Sequence, residues 1–423
     1  MQDFHLVAAD DLVEIRITTS LPIGNDVALI YHPRSLALGV GCERGCAPEE
    51  LIALAEASLA EAGLAPAALA AVVSIDLKSD EKAVHAVARH FGVPARFFPA
   101  ARLVEETQKL VNPSELVFRE TGCWGVAEGA ALAAAGGAAR LILPKRKSAR
   151  ATVAVAEAPV PFDGAAIGRP RGRLTVVGIG PGMAAWRTPE ASAALAQAQH
   201  LVGYGLYLDL LGPLAEGKTR HETGLGDETG RACRALDLAA AGESVALVSS
   251  GDAGIYGLAT LVFEQLDRED RPDWRRIELA VAPGISALQA AAARAGAPLG
   301  HDFCAISLSD LLTPWSAIEA RLSAAAAADF VVALYNPRSQ RRRDQLVTAK
   351  RIFLDHRPGD TPVLLARNLG RDEESVAVVS LAEFDPDAVD MLTLVMIGAS
   401  STRRVAGAPW IYTPRGYAGK APP

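Results

Sequence analysis

Val245-Ala246-Leu247-Val248-Ser249-Ser250-Gly251-Asp252-Ala253-Gly254-Ile255-Tyr256-Gly257-Leu258 is the stretch on which the fold turns. Four apolar residues, Val245 to Val248, suit a short buried strand. The chain then breaks into a loop with three glycines and one carboxylate. Leu258, Leu261, Val262 and Leu266 follow with helical spacing. A strand that ends in a glycine loop at the start of a helix is where open α/β sheets bind ligands. Glycine has no Cβ, so its backbone can approach a ligand closely, and Asp252 can accept hydrogen bonds from an amine or a hydroxyl. Taken alone, the same pattern also fits an ordinary strand–helix connection whose glycines only turn the chain.

Working outward, apolar segments near Leu174, Ile277, Phe303, Phe330, Val363 and Met391 read as further strands of an α/β region that runs to about Ser401. Continuous apolar runs such as Phe330 to Leu334 suit a sheet covered on both faces. Upstream, strands are expected at Leu12 to Thr18, Val27 to Tyr31, Ala71 to Ile75, Arg96 to Phe98, Arg140 to Leu143 and Ala151 to Ala156. Helices alternate with them at Pro48 to Ala62, Asp80 to His90 (capped by Ser79 or Asp80), Pro99 to Thr107 and Trp124 to Ala135, giving a first, smaller α/β domain. Between the two regions, Glu157 to Arg173 holds three prolines and three glycines and reads as a linker.

The chain has 423 residues, half of them hydrophobic, enough for several sizeable cores. Its net charge of −7 argues against nucleic-acid and anionic-membrane partners. No apolar run reaches the roughly 18 residues that span a bilayer, and the N-terminus carries no charged-then-apolar leader. A cytoplasmic location is expected. Five scattered cysteines do not make a disulfide framework. Cys42 and Cys46 lack the further ligands that a zinc site needs, so no protein-bound metal is expected.

Gly178-Ile179-Gly180-Pro181-Gly182 opens the second region. It departs from a dinucleotide loop, because Met183 stands where the third glycine belongs and no acidic residue follows at the ribose position. This loop, Gly203-Tyr204-Gly205-Leu206-Tyr207, Ser249 to Gly257 and Pro283-Gly284-Ile285-Ser286-Ala287 occur in the order found in the S-adenosylmethionine-dependent tetrapyrrole methylases, which the segment from about 173 to 402 resembles. Gly300 to Trp315 and Leu334-Tyr335-Asn336-Pro337-Arg338-Ser339 resemble, more narrowly, the precorrin-3B C17-methyltransferases. Upstream, Gly39 to Gly45, Ser74 to Glu81 and Leu143 to Ser148 are similar to the C-terminal domain of the lactone-opening protein of cobalamin synthesis.

The resemblance implies an N-terminal extension (1–38), an accessory α/β domain (39–157), a linker (158–172), two methylase lobes (173–282 and 283–402) and a tail (403–423). It implies a two-lobed fold with S-adenosylmethionine in the cleft between lobes, released as S-adenosylhomocysteine. The matching cofactor positions are Pro181, Ser250, Gly251, Asp252, Ile255, Ser286, Ala287, Tyr335, Asn336 and Gly370. A homodimer is also implied. The implied reaction methylates C17 of precorrin-3B, joins C1 to C19 and extrudes C20 as an acetyl group. The cobalt-containing substrate of the anaerobic route is an alternative, as is a non-catalytic tetrapyrrole carrier.

Methyl transfer from a sulfonium is an in-line displacement that needs alignment more than acid, base or metal. Alignment alone can supply roughly 7–11 kcal/mol. Ring contraction adds a need for proton handling, for which Asp252, His301 and Asp310 are candidates, Asp252 reading more as a residue that binds or shapes the site. His301 also reads as a polar strand-edge residue, and Asp310 as a helix cap. A polycarboxylate substrate suits arginines; Arg338 and Arg371 are the substrate-binding candidates, with Arg367, Arg403 and Arg404 nearby. Arg341 to Arg343 reads as a solvated helix face. Lys145 to Lys147 fits either a tetrapyrrole contact or plain surface. Tyr204 and Tyr207, one helical turn apart, either stack on the macrocycle or pack a core.

Overall fold

The computed structural model describes residues 14–21, 28–224, 226–339 and 342–416. Residues 12, 13 and 27 of the two early strands, Arg341 and residues 417–423 of the tail lie outside the described residues. The remainder of the early strands, Glu14–Ile17 and Ala28–Tyr31, pair in parallel as a two-stranded ribbon. The chain divides into two compact units. One runs to Arg173 and takes in Leu236–Ser244 and Asp270–Glu278; the other holds the rest.

The first unit is built on a five-stranded sheet in the order Ala95–Phe98, Leu69–Ile75, Leu36–Cys42, Ala151–Glu157, Arg140–Lys147. Side chains alternate across a strand, and Leu36–Cys42 feeds two cores accordingly. Leu36, Leu38 and Val40 pack with the helices Pro48–Glu61 and Lys82–His90. Ala37 points to the other face, with the alanine-rich helix Val126–Ala135. That helix lies directly on the strand: a Cβ on Gly39 would stand 1.9 Å from the Ala127 carbonyl oxygen.

Several local expectations are corrected in this unit. The Lys82–His90 helix starts after Glu81 and has no side-chain cap, because Asp76–Lys78 forms its own short 3-10 turn. An additional helix, Glu115–Thr121, is capped by Ser114 and closed by Gly122 at φ +76°. Lys145 to Lys147 extend the edge strand Arg140–Lys147. Pro144 is tolerated there because an edge strand does not need its N–H, and the register shifts around it. The proline-rich stretch 158–172 carries no helix or strand. It is hydrogen-bonded along the first unit through Ala158 to Ser35, Phe162 to Arg34, and a reciprocal pair between Phe97 and Arg169.

The second unit has two principal sheets. The first is ordered Thr219–Thr223, His200–Tyr204, Ser244–Ser249, Arg173–Gly178, Glu278–Ala282. The second is ordered Phe303–Ser307, Val331–Tyr335, Thr393–Ile397, Pro362–Arg367, Ser375–Ser380. Thr393–Ile397 runs antiparallel to both its neighbours, so the buried run Val331 to Leu334 sits in a mixed sheet. His200–Tyr204, Thr219–Thr223 and Ser375–Ser380 are strands that the apolar pattern did not announce. Tyr204 ends a strand and Tyr207 lies in the short helix Gly205–Asp209, so the two do not share a helix face.

Three strand ends of the first sheet meet with no side chain between them. After Arg173–Gly178, Ser244–Ser249 and Glu278–Ala282 come Gly178, Gly251 and Gly284. A Cβ on Gly284 would lie 2.1 Å from the Gly251 carbonyl oxygen, and one on Gly178 would lie 2.7 Å from the same oxygen. Gly180 and Gly251 exchange both backbone hydrogen bonds, at 3.1 and 2.9 Å. Both take left-handed backbone, with φ of +77° and +66°. Gly284→Ala is expected to destabilise the protein by about 3 kcal/mol, the upper end of overpacking costs, because backbone atoms block the methyl group. Gly45→Ala, at φ +66° in open space, should cost only about 1 kcal/mol. Urea midpoints of the two variants check the contrast.

Candidate functional site: a cleft at the glycine junction

The glycine junction forms one side of a cleft enclosing about 950 Å³, its open mouth included. Pro181 and the Ser250–Asp252, Ile255 and Tyr256 loop line it from the first sheet. Ser286, Ala287, Tyr335, Asn336 and the segments around Asn368 and Leu392 line it from the other side. Every residue matched to the cofactor in the sequence lies on this lining except Gly370. That residue sits between lining residues Leu369 and Arg371, and its Cβ would meet the Met183 amide nitrogen at 2.9 Å.

Asp252 is engaged with the backbone. One carboxylate oxygen accepts from the Gly254 N–H at 2.8 Å, and the other accepts from the Gly284 N–H at 2.9 Å. The carboxylate therefore ties the glycine loop to the segment opening the second lobe. Ser286 is buried and caps helix Ala287–Ala295 in a reciprocal pair with Gln289. Opposite Gly251, the nearest atoms to a Cβ would be Ala287 and Ser286, 4.0 Å away, which leaves a narrow slot between the two loops. The Tyr335 hydroxyl accepts the Leu288 N–H at 3.1 Å, and burial pushes that phenol upward in pKa.

Two side chains cross the cleft in opposite directions. From the second lobe, Arg371 donates to the Pro181 carbonyl at 2.8 Å and to the Ser250 hydroxyl at 3.0 Å. From the first, Tyr256 donates its hydroxyl to the Ala305 carbonyl at 2.9 Å, and its ring packs at 5.1 Å from that of Tyr335. Tyr256 has φ +52°. For an aromatic residue this backbone costs about 1–3 kcal/mol and persists only where surrounding contacts impose it. Asn336 and Asn368, also on the lining, are left-handed too. The Asn336 side-chain amide donates to the Ser307 hydroxyl at 3.0 Å, and the Asn336 backbone carbonyl accepts from buried Arg342 at 3.0 Å.

The other candidates lie elsewhere. His301 precedes the strand Phe303–Ser307, whose far end faces the cleft through Asn336. Five residues at about 3.3 Å each separate those levels by about 16 Å, and the ring lies 3.7 Å from the Asp302 carboxylate. Asp310 caps no helix, since the next one begins at Trp315. It is exposed, accepts from Gln345 at 2.9 Å and stands 4.0 Å from Arg342. Arg342 is 7% exposed, not part of a solvated face. Neither His301 nor Asp310 lines the cleft. Tyr207 does; Tyr204 stands behind it, edge-to-face at 5.4 Å.

The lining is also less basic than a polycarboxylate ligand suggested, because Arg371 is the one of the five candidate arginines that lines the cleft, and the other four are engaged elsewhere. Arg338 pairs with Asp387 at 2.6 Å, and Arg367 with Asp390 at 2.9 Å. Arg403 lies over Tyr412, and Arg404 donates to the Val378 carbonyl. Sequence reading missed Tyr256, Asn368 and Met391 to Leu394. The only advance signal was asparagine's tolerance of left-handed backbone.

The Gly370 turn is held by Glu374, which accepts from Arg294 at 2.6 Å and from the Gly370 N–H at 2.7 Å. The Arg294 guanidinium, with that amide, holds the carboxyl below the ordinary glutamate value against the opposing effect of burial. A depressed folded pKa stabilises fully above the unfolded value of about 4.3, and that stability is lost as pH falls through the folded value. Glu374→Gln should therefore flatten part of the acid-side loss of stability, read as urea midpoints between neutral pH and the acid limb. Asp252→Ala strands the partly buried Gly284 N–H, while the exposed Gly254 N–H can turn to water; it should lower stability by about 1–2 kcal/mol, measured by the same method.

Residues 173–385 match the family model described as Tetrapyrrole (Corrin/Porphyrin) Methylases, and residues 36–156 match the one described as Cobalamin synthesis G C-terminus. The chain is 47% identical over 251 residues to a precorrin-3B C(17)-methyltransferase of Sinorhizobium sp, covering 59% of this chain and 98% of that protein. It is 45% identical over 247 residues to a cobalt-factor III methyltransferase of Priestia megaterium, covering 58% of this chain but only 45% of that longer protein. The crystal structure of the methyltransferase CobJ superposes with a TM-score of 0.55 at 45% identity, covering 57% of this chain and all of that one.

Proposed function

This chain belongs to the tetrapyrrole methylases, and we propose that it methylates C17 of precorrin-3B from S-adenosylmethionine, with ring contraction to precorrin-4, in cobalamin synthesis. The observation that carries this reading is the cleft at the glycine junction, where segments far apart in sequence converge. When bound, the cofactor supplies an activated methyl group on a sulfonium. The chain's own contribution is placement. The slot between Gly251 and Ser286–Ala287 would take the adenosine part, with Ile255 and Tyr335 as apolar walls. Asp252, whose two oxygens already accept backbone N–H groups, would shape the loop that receives the methionine part. Arg371 would hold Pro181 and Ser250 at the spacing the ligand needs.

A second reading, the cobalt-containing substrate, is favoured by the similarity to the Priestia megaterium protein, nearly equal in identity. Ring contraction needs proton transfer, a step proposed for Asp310 or His301 acting from outside the cleft lining. The same reading includes a cytoplasmic homodimer without a bound metal. Among the described residues, no helix is long and apolar enough to cross a membrane. The 36–156 domain would be an accessory to the pathway. Incubation with S-adenosylmethionine and either precorrin-3B or cobalt-factor III should form S-adenosylhomocysteine and a C17-methylated macrocycle; no S-adenosylhomocysteine with either substrate would refute the enzyme reading.

A further inference from the structure

The cleft is graded from floor to mouth. Its floor residues Leu369 and Leu394 are buried, while Tyr256, Met391 and Leu392 at its lining are 54%, 50% and 48% exposed. Large apolar side chains normally bury, and a rim of them around a cleft marks a surface that something covers. These three come from two separate segments and are held in place. Tyr256 is fixed by its hydroxyl on Ala305 and by the Tyr335 ring. The Met391 sulfur accepts from buried Arg342 at 3.7 Å. The backbone at Leu392 is pinned by the Asp390 side chain at 3.0 Å and by the Asn368 N–H at 3.2 Å. A fixed apolar rim is preorganised for a broad, flat ligand, because little ordering is left to occur on binding.

We propose that Tyr256, with Met391 and Leu392, is the seat for the plane of the tetrapyrrole macrocycle, and that Tyr256 is a residue determining macrocycle affinity. This rests on the methylase reading for the identity of the ligand. An adenine belongs deeper, at Tyr335 and Ala287, where the slot is narrow. The exposed apolar residues at the mouth suit a conjugated ring system several times larger than adenine. An aromatic ring in offset contact with a conjugated plane contributes through both area and quadrupole.

The full chain can be titrated with uroporphyrin, a flat octacarboxylate probe that is not a methyl acceptor here, by fluorescence quenching. S-adenosylhomocysteine affinity is measured in parallel by calorimetry. Tyr256→Leu should weaken porphyrin binding about tenfold while S-adenosylhomocysteine affinity stays within about twofold. Tyr256→Phe, which keeps the ring, should recover most of the lost porphyrin affinity. A parallel loss of S-adenosylhomocysteine affinity in Tyr256→Leu would assign the residue to the cofactor or to general structure and overturn the seat. So would porphyrin binding as tight as wild type in Tyr256→Leu, or no porphyrin binding by the wild type. Because these readouts need no turnover, failure of methyl transfer would remove the proposed reaction while leaving a Tyr256-dependent porphyrin site standing.

Discussion

The second unit depends on a contact between backbones. Gly178, Gly251 and Gly284 bring three strand ends of one sheet so close that a single methyl group on Gly178 or Gly284 would strike a neighbouring main chain. Because nothing bulkier intervenes, the loops that follow these strands leave from one point and diverge around the cleft. The Asp252 carboxylate reinforces the junction as only a carboxylate can, with an acceptor for the Gly254 N–H on one oxygen and for the Gly284 N–H on the other. An asparagine would offer a donor at one of those two positions.

Around that junction, several polar side chains of the cleft are already engaged with the protein. Ser286 caps a helix, Arg371 bridges two loops, Tyr335 receives a helix N–H, and Asn336 holds Ser307. This leaves backbone groups and apolar surface as the principal material facing a ligand. Such a surface suits a reaction whose barrier falls mainly through alignment of two reactants. The left-handed residues Tyr256, Asn336 and Asn368 are part of the same arrangement: local backbone cost at the lining is offset by hydrogen bonds made elsewhere.

Much of this was legible in advance because the relevant signals are local. An apolar strand running into a glycine loop, the order of the glycine motifs and the proline-rich stretch after Glu157 are all visible without a structure. What was not legible depends on tertiary context. Thr219–Thr223 is a polar edge strand with no apolar alternation, and HLVGY at 200–204 carries a glycine where a strand former is expected. Arg342 looks like a surface charge until the fold buries it behind Asn336. His301 lies within a distinctive motif, yet stands before its strand while the cleft lies beyond the strand's other end. Tyr256 lies inside the glycine-loop motif, but its backbone conformation and its reach to Ala305 are invisible in one dimension.

The gradation of the cleft, narrow between Gly251 and Ala287 and exposed at Tyr256 and Met391, bears on kinetic order. A small ligand that occupies the floor is sealed beneath a large one seated at the mouth. On the proposed reading, the cofactor enters first and the macrocycle second. After transfer, the methylated macrocycle must leave before S-adenosylhomocysteine can, so a tightly held macrocycle would trap the spent cofactor beneath it.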